Sequence, residues 1–216
     1  MAADLAERCR VRPGTPARLD QRDPEDSAGF DGDKDDGRKR LDKLESRLEE
    51  LQELFYAVHR QSLLIVLQGM DSSGKDGTIR RVFDGINPQG VRVASFRQPS
   101  TLELDHDFLW RIHAQVPTRG SIVLFNRSHY EDVLAARVHR LVPRPVWESR
   151  YRAINEFERM LTEEGTIVMK FFLHISREEQ RRRLQDRLDD PTKNWKFREA
   201  DVRERRNWAA YGAAYE

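Results

Sequence analysis

Apolar residues fall into stripes and short runs that alternate between two periods along the chain. Leu41, Leu44, Leu48, Leu51, Leu54 and Val58 recur at steps of three and four, which predicts one amphipathic helix packed on the domain. Self-association is the other use such a stripe could have. Leu63–Gln68 is a compact aliphatic run, as in a buried parallel strand. Thr78–Phe83 reads as helix with Gly85 at its C-terminal end, and Val91–Phe96 is a second strand after the turn 87–90. Ser100 and Glu103 have capping-box spacing and predict a helix through Trp110 and Ile112. Ser121–Asn126 is a third strand, and Ser128 and Glu131 repeat the capping spacing before another helix. Trp147–Glu164 reads as a longer helix stopped by Gly165, followed by the strand Thr166–Ile175. Ser176 and Glu179 cap an Arg-rich helix, and a last helix runs from about Ala200 to the end. Strands alternating with helices imply an α/β fold with a central parallel sheet covered on both faces.

The 216 residues suffice for one such domain. Residues 1–40 mix Pro, Gly, Asp and Arg without periodicity and are expected to be a disordered N-terminal segment, leaving 41–216 as the domain. Lys and Arg number 38 against 37 Asp and Glu, a formal charge of +1, so no global field draws in nucleic acid. The single Cys9 has no disulfide partner, the first twenty residues lack the apolar stretch of a signal peptide, and the longest aliphatic run is Leu63–Leu67. A cytoplasmic protein with no membrane partner is expected.

The chemistry concentrates at Gly69-Met70-Asp71-Ser72-Ser73-Gly74-Lys75-Asp76-Gly77, a Gly–x4–Gly–Lys pattern between a buried strand and a helix start. Gly69, Gly74 and Gly77 let the backbone curl so that N–H groups, with those of Ser72, Ser73 and Asp76, point into one concavity. The helix N-terminus and Lys75 add positive charge. This is a phosphate-binding loop (P-loop). Asp76 stands where most such loops carry a Ser or Thr hydroxyl on Mg²⁺. Asp71 lies inside the loop, where an acid fits if it helps hold Mg²⁺ or orients an acceptor phosphate; a turn-forming role is the alternative.

The third strand ends at Asn126, a neutral residue where a metal-linked Asp is usual, so the missing charge must come from Asp71, Glu131 or Asp132. Arg127 follows at the sheet edge where open α/β folds bind ligands, and is expected to contact phosphate. Glu131 and Asp132 could equally be first-turn acids favoured by the helix dipole. Between Lys170 and Arg206 there are 12 cations and 8 acids. Arg183 and Arg187, one helical turn apart, are expected to bind phosphate from a mobile lid, a solvated charged helix being the alternative. His106 and His113 match no zinc spacing.

Several stretches together resemble polyphosphate kinase type 2: LLIVLQGMDSSGKDGTIR, GINPQGVRVASFRQPS, LDHDFLWRIH, LFNRSHYEDVL and KFFLHISREEQ. NRSHYEDV and WKFREAD are most similar to its class III members. The resemblance runs from about residue 40 to the end. It implies a thymidylate kinase-like P-loop fold with a helical lid. It also implies Mg²⁺-dependent, reversible transfer between inorganic polyphosphate and nucleoside mono- or diphosphates, AMP and ADP included. A homo-oligomer is expected besides. By motif position it makes Asp71, Lys75 and Arg127 the catalytic set, places Arg183 in the lid, and makes Asn126 part of the class III pattern. Members usually continue into a closing strand–helix unit, whereas this chain stops at Tyr215-Glu216 within a helical pattern. An ATP-dependent nucleoside monophosphate kinase and a non-catalytic polyphosphate-binding module are the alternatives.

Overall fold

The computed structural model describes residues 2–27 and 29–216. They separate into two compact units, one formed by 44–173 and one by 1–43 together with 174–216. The helices are α1 (Ala2–Cys9), α2 (Lys34–Val58), α3 (Lys75–Val82), α4 (Thr101–Leu104), α5 (Trp110–His113), α6 (Glu131–Val138), α7 (Arg144–Glu163), α8 (Arg177–Asp189), α9 (Glu199–Glu204) and α10 (Trp208–Tyr215). The strands are β1 (Ser62–Gln68), β2 (Val91–Ser95), β3 (Ile122–Asn126) and β4 (Thr166–Phe172).

All four strands lie in one parallel sheet in the order β2-β3-β1-β4. Ile65 is in register with Leu124 on one side and Met169 on the other, and Leu67 with Asn126 and Phe171. The alternate residues Leu64, Val66, Ala94, Val123 and Phe125 form one apolar face. Ile112 of α5 and Phe157 and Leu161 of α7 close it, with Phe96 meeting Phe125 edge-on at 4.8 Å. Burying a side chain such as Phe125 stabilises by about 1.5–3 kcal/mol, so this face anchors the strand ends that carry the site. On the other face the edge strand β4 leaves Ile167, Met169 and Phe171 exposed.

Four expectations change. The buried side of α2 carries Glu45, Leu48, Gln52 and Phe55, while Leu44, Leu51, Leu54 and Val58 are exposed. Polar partners turn the helix: Glu45 lies 3.3 Å from Arg81, and Gln52 packs so closely on Gly90 that a Cβ there would sit 2.1 Å from its amide. The helix expected from Ser100 is only α4. Its capping box forms, but the Asp107 carboxylate accepts the Leu109 N–H at 2.9 Å and makes a turn before α5. Strand β4 ends at Phe172 rather than at Ile175. Helix α2 starts at Lys34, before residue 40, because Asp33 accepts the N–H groups of Asp35 and Asp36 at 2.8 and 2.9 Å.

In the unit of 1–43 and 174–216, the Ser176 hydroxyl caps α8 by accepting the Glu179 N–H at 3.0 Å. The Arg205 guanidinium donates to the Gln180 side chain and the Arg177 carbonyl. Arg18 N–H donates to the Glu216 carboxylate at 3.0 Å. Among the described residues no helix is long and apolar enough to cross a membrane.

Candidate phosphate-binding site

Strand β1 delivers the chain into a loop with little steric latitude. Gly69 has φ +153°, and a Cβ there would lie 2.7 Å from the Ser73 hydroxyl and 2.8 Å from the Leu173 carbonyl. Ser72 (φ +64°) and Gly74 (φ +101°) are also left-handed, and Gly74 opens α3. The chain therefore bends sharply between β1 and α3. A Cβ on Gly77, by contrast, would meet open space.

Lys75 is the first residue of α3 and is buried. Its ammonium group donates to the Gly69 carbonyl at 2.7 Å and the Met70 carbonyl at 3.2 Å, with the Ser73 hydroxyl at 3.4 Å. Burial first, and then the Arg127 charge, lower its pKa to about 8, against the opposing pull of Asp71, Glu131 and Asp76.

The end of β3 faces this loop. Arg127 has φ +63°, a left-handed backbone rare outside glycine, and its N–H is held by the Leu67 carbonyl at 3.2 Å. The guanidinium lies 2.5 Å from Asp71 and 3.9 Å from Glu131. Asn126 donates its amide N–H to Asp76 at 2.6 Å. Burial raises the pKa of Glu131, opposed by Arg127 and Lys75. Asp71, Lys75, Asp76, Asn126, Arg127 and Glu131 thus converge from two segments far apart in sequence, 71–76 and 126–131.

The helix expected after Ser128 is α6, which Ser128 precedes by three residues. Ser128 is fully buried; its hydroxyl accepts from Gln68 Nε2 at 2.9 Å and from the Tyr130 N–H, and α6 begins only at Glu131. Asp132 turns to Arg111 and Arg150, 3.5 and 3.8 Å away. His106 stacks on Trp110 and His113 packs edge-on against Phe157, which is helix packing. Arg183 and Arg187 belong to the other unit, where Arg183 pairs with Glu179 at 2.6 Å and Arg187 with Asp201 at 3.3 Å.

Among the described residues no three His, Cys, Asp or Glu side chains are grouped to hold a metal ion. The donors nearest the loop are hard oxygens, the class that suits Mg²⁺ bound by one or two carboxylates plus substrate phosphates. Two cations, Lys75 and Arg127, face three carboxylates there, Asp71, Asp76 and Glu131. A divalent cation fits that charge excess.

Sequence reasoning missed Glu158. It stands in the buried stripe of α7 with Ile154, Phe157 and Leu161, and its carboxylate receives His129, Tyr130 and Lys170. An acid at a position where the helix period calls for an apolar residue was the available signal.

A family model described as "Polyphosphate kinase 2 (PPK2)" matches residues 31–216. The chain is 58% identical over 207 residues to the AMP/ADP-polyphosphate phosphotransferase of Meiothermus ruber, spanning 96% of this chain and 78% of that protein. It is 50% identical over 182 residues to the ADP-polyphosphate phosphotransferase of Rhodopseudomonas palustris, spanning 79% of this chain and 63% of that one. The crystal structure of polyphosphate kinase 2 from Arthrobacter aurescens TC1 superposes with a TM-score of 0.93 at 45% identity, over 98% of this chain and 76% of that one.

Proposed function

The chain belongs to the polyphosphate kinase 2 family, and on that premise we propose that it moves phosphoryl groups reversibly between inorganic polyphosphate and adenine nucleotides. The terminal P–O–P bond of the polymer breaks as the same phosphoryl group bonds to the terminal phosphate oxygen of ADP or AMP. The polymer is left one phosphate shorter. Both bonds are phosphoanhydrides, so concentrations set the direction.

The observation that carries this reading is the convergence of Lys75 and Arg127 on one glycine-shaped loop. Loop N–H groups of Gly69, Ser72, Ser73, Gly74, Asp76 and Gly77 and the Lys75 ammonium hold phosphate oxygens. Arg127 stabilises charge on the group in transit, and Asp71 orients both Arg127 and the acceptor. Arg183 and Arg187 of α8 are proposed as further phosphate-binding residues. Asp71, with Asn126 and Glu131, would hold Mg²⁺, which supplies charge neutralisation at the phosphate oxygens. The exposed Leu44, Leu51, Leu54 and Val58 of α2 support a homo-oligomer. We place the protein in the cytoplasm.

The test is a donor comparison. With AMP or ADP and Mg²⁺, polyphosphate should yield ADP or ATP, and ATP should be a poor donor to AMP. Turnover with ATP and none with polyphosphate would make the protein an ordinary nucleoside monophosphate kinase. Polyphosphate binding without turnover would make it a binding module.

A further inference from the structure

The segment that carries Arg127 is held from behind by a partly buried ionic cluster. Glu158 Oε1 accepts from the Tyr130 hydroxyl at 2.8 Å and faces His129 Nε2 at 3.2 Å. Its Oε2 takes the Lys170 ammonium at 2.6 Å, and Lys170 also donates to the Tyr130 hydroxyl at 2.9 Å. His129 is fully buried, and its Nδ1 has no hydrogen-bond partner among the described residues, so the ring is oriented by Glu158 at the expense of that atom. On the other side, Gln68, the last residue of β1, donates to Ser128 at 2.9 Å. Residues 128–130 are therefore tied to β1, α7 and β4 at once.

Stability alone does not account for this arrangement. An ion pair with one half-exposed partner and one buried one contributes little net stability, because solvent screens the first and desolvation of the second offsets the attraction. What the cluster does supply is direction. Arg127 keeps a left-handed backbone that costs of order 1 kcal/mol or more and persists only where the surroundings over-determine it. The three side chains after it provide that determination.

We propose that Glu158 is a positioning residue of the transfer reaction. With Lys170 it clamps 128–130 so that the Arg127 guanidinium stays aimed at the P-loop. The proposal rests on the transferase reading for its kinetic consequence but not for its structural one.

The experiment compares Glu158→Gln, close in size and without charge, with Lys170→Met, which changes a half-exposed side chain and should fold even if the first variant does not. Kinetics are measured well below either thermal midpoint. The expected result is a fall in kcat of about ten- to a hundredfold, as for a misplaced catalytic group, with KM for ADP within about threefold of wild type. In an Arg127→Ala background the same changes should lower kcat by less than about threefold, because they act through a side chain no longer there. Amide exchange over 127–133 should quicken at least about tenfold while β1 and β3 stay protected. A variant that loses thermal stability but keeps kcat and the exchange pattern would overturn the proposal, as would full additivity with Arg127→Ala. The exchange measurement needs no turnover, so it judges the clamp even if wild type forms no ATP from polyphosphate.

Discussion

Replacing Lys75 with Met separates the requirements of folding from those of phosphate binding. The ammonium is buried and its pKa is drawn from 10.5 to about 8, so at neutral pH the charged form is held about 3 kcal/mol less favourably than in water. Against that stand two good hydrogen bonds to the Gly69 and Met70 carbonyls and a long contact to Ser73. Charge-assisted bonds of this kind contribute about 1.5–3 kcal/mol each. The terms nearly cancel. Lys75→Met, which keeps most of the apolar stem, should therefore shift the stability of the ligand-free protein by less than about 1.5 kcal/mol, or roughly 3–6 °C in thermal midpoint. Transfer should fall by at least about a thousandfold, since a full charge on the transferred phosphates has no substitute in the loop. The assay pairs thermal unfolding without substrate with ATP formation from ADP and polyphosphate. A variant that unfolds 10 °C lower would show Lys75 to be a structural strut. One that retains a tenth of wild-type turnover would remove it from the site.

The two outer glycines of the loop should behave oppositely. Gly69→Ala forces a Cβ into the Leu173 carbonyl at φ +153°, and is expected to destabilise by about 2–3 kcal/mol and abolish transfer, whereas Gly77→Ala meets open space inside a helix and should leave the midpoint unchanged or slightly higher. The Lys75 shift also has a signed pH signature. Because the unfolded chain binds that proton more tightly, wild-type stability relative to Lys75→Met should rise as pH climbs from about 8 toward 10.5, while polyphosphate affinity weakens by up to about tenfold per unit above 8. A flat difference between the two proteins across that range would refute the assignment. Glu158 gives the opposite window. Burial would raise its pKa, but hydrogen bonds from His129, Lys170 and Tyr130 outweigh that and bring it to about 2. Its stabilisation, about 3 kcal/mol, is thus present above pH 4.5 and lost toward pH 2. Glu158→Gln should flatten the acid limb of the unfolding profile, and an unchanged limb would count against an ionised Glu158.

The sheet was legible because parallel strands buried on both faces must be aliphatic runs, and Leu63–Leu67 and Ile122–Phe125 have no other economical placement. The Gly69–Lys75 loop was legible because its requirements are local: glycine at Gly69 and Gly74, where φ is positive, and Lys75 as the first residue of the helix. The turn of α2 was not. Two apolar stripes lie side by side on that helix, and the choice between them rests on Gln52 against Gly90 and Glu45 against Arg81, contacts 38 and 36 positions apart. The bond from Gln68 to the Ser128 hydroxyl was not legible either, because its donor lies sixty residues earlier. The Glu158 clamp draws on residues 28, 29 and 12 positions away, and only the misplaced acid in an apolar stripe betrays it.

Without substrate, the groups assigned to phosphate already hold partners of their own. Lys75 holds the loop carbonyls, Arg127 holds Asp71, and Asn126 holds Asp76. Each pairing matches a strong donor with an oxygen acceptor, so an incoming phosphate oxygen replaces a bond of similar kind instead of filling a gap. The free energy of binding is then a difference between two sets of charge-assisted bonds, far smaller than either set. The same pairing accounts for a carboxylate inside the proposed polyanion site: Asp71 keeps Arg127 oriented between turnovers, while loop carbonyls hold Lys75, and the strained backbone at Ser72 and Arg127 constrains both segments. The aliphatic sheet beneath supplies the stability that this polar, strained rim does not.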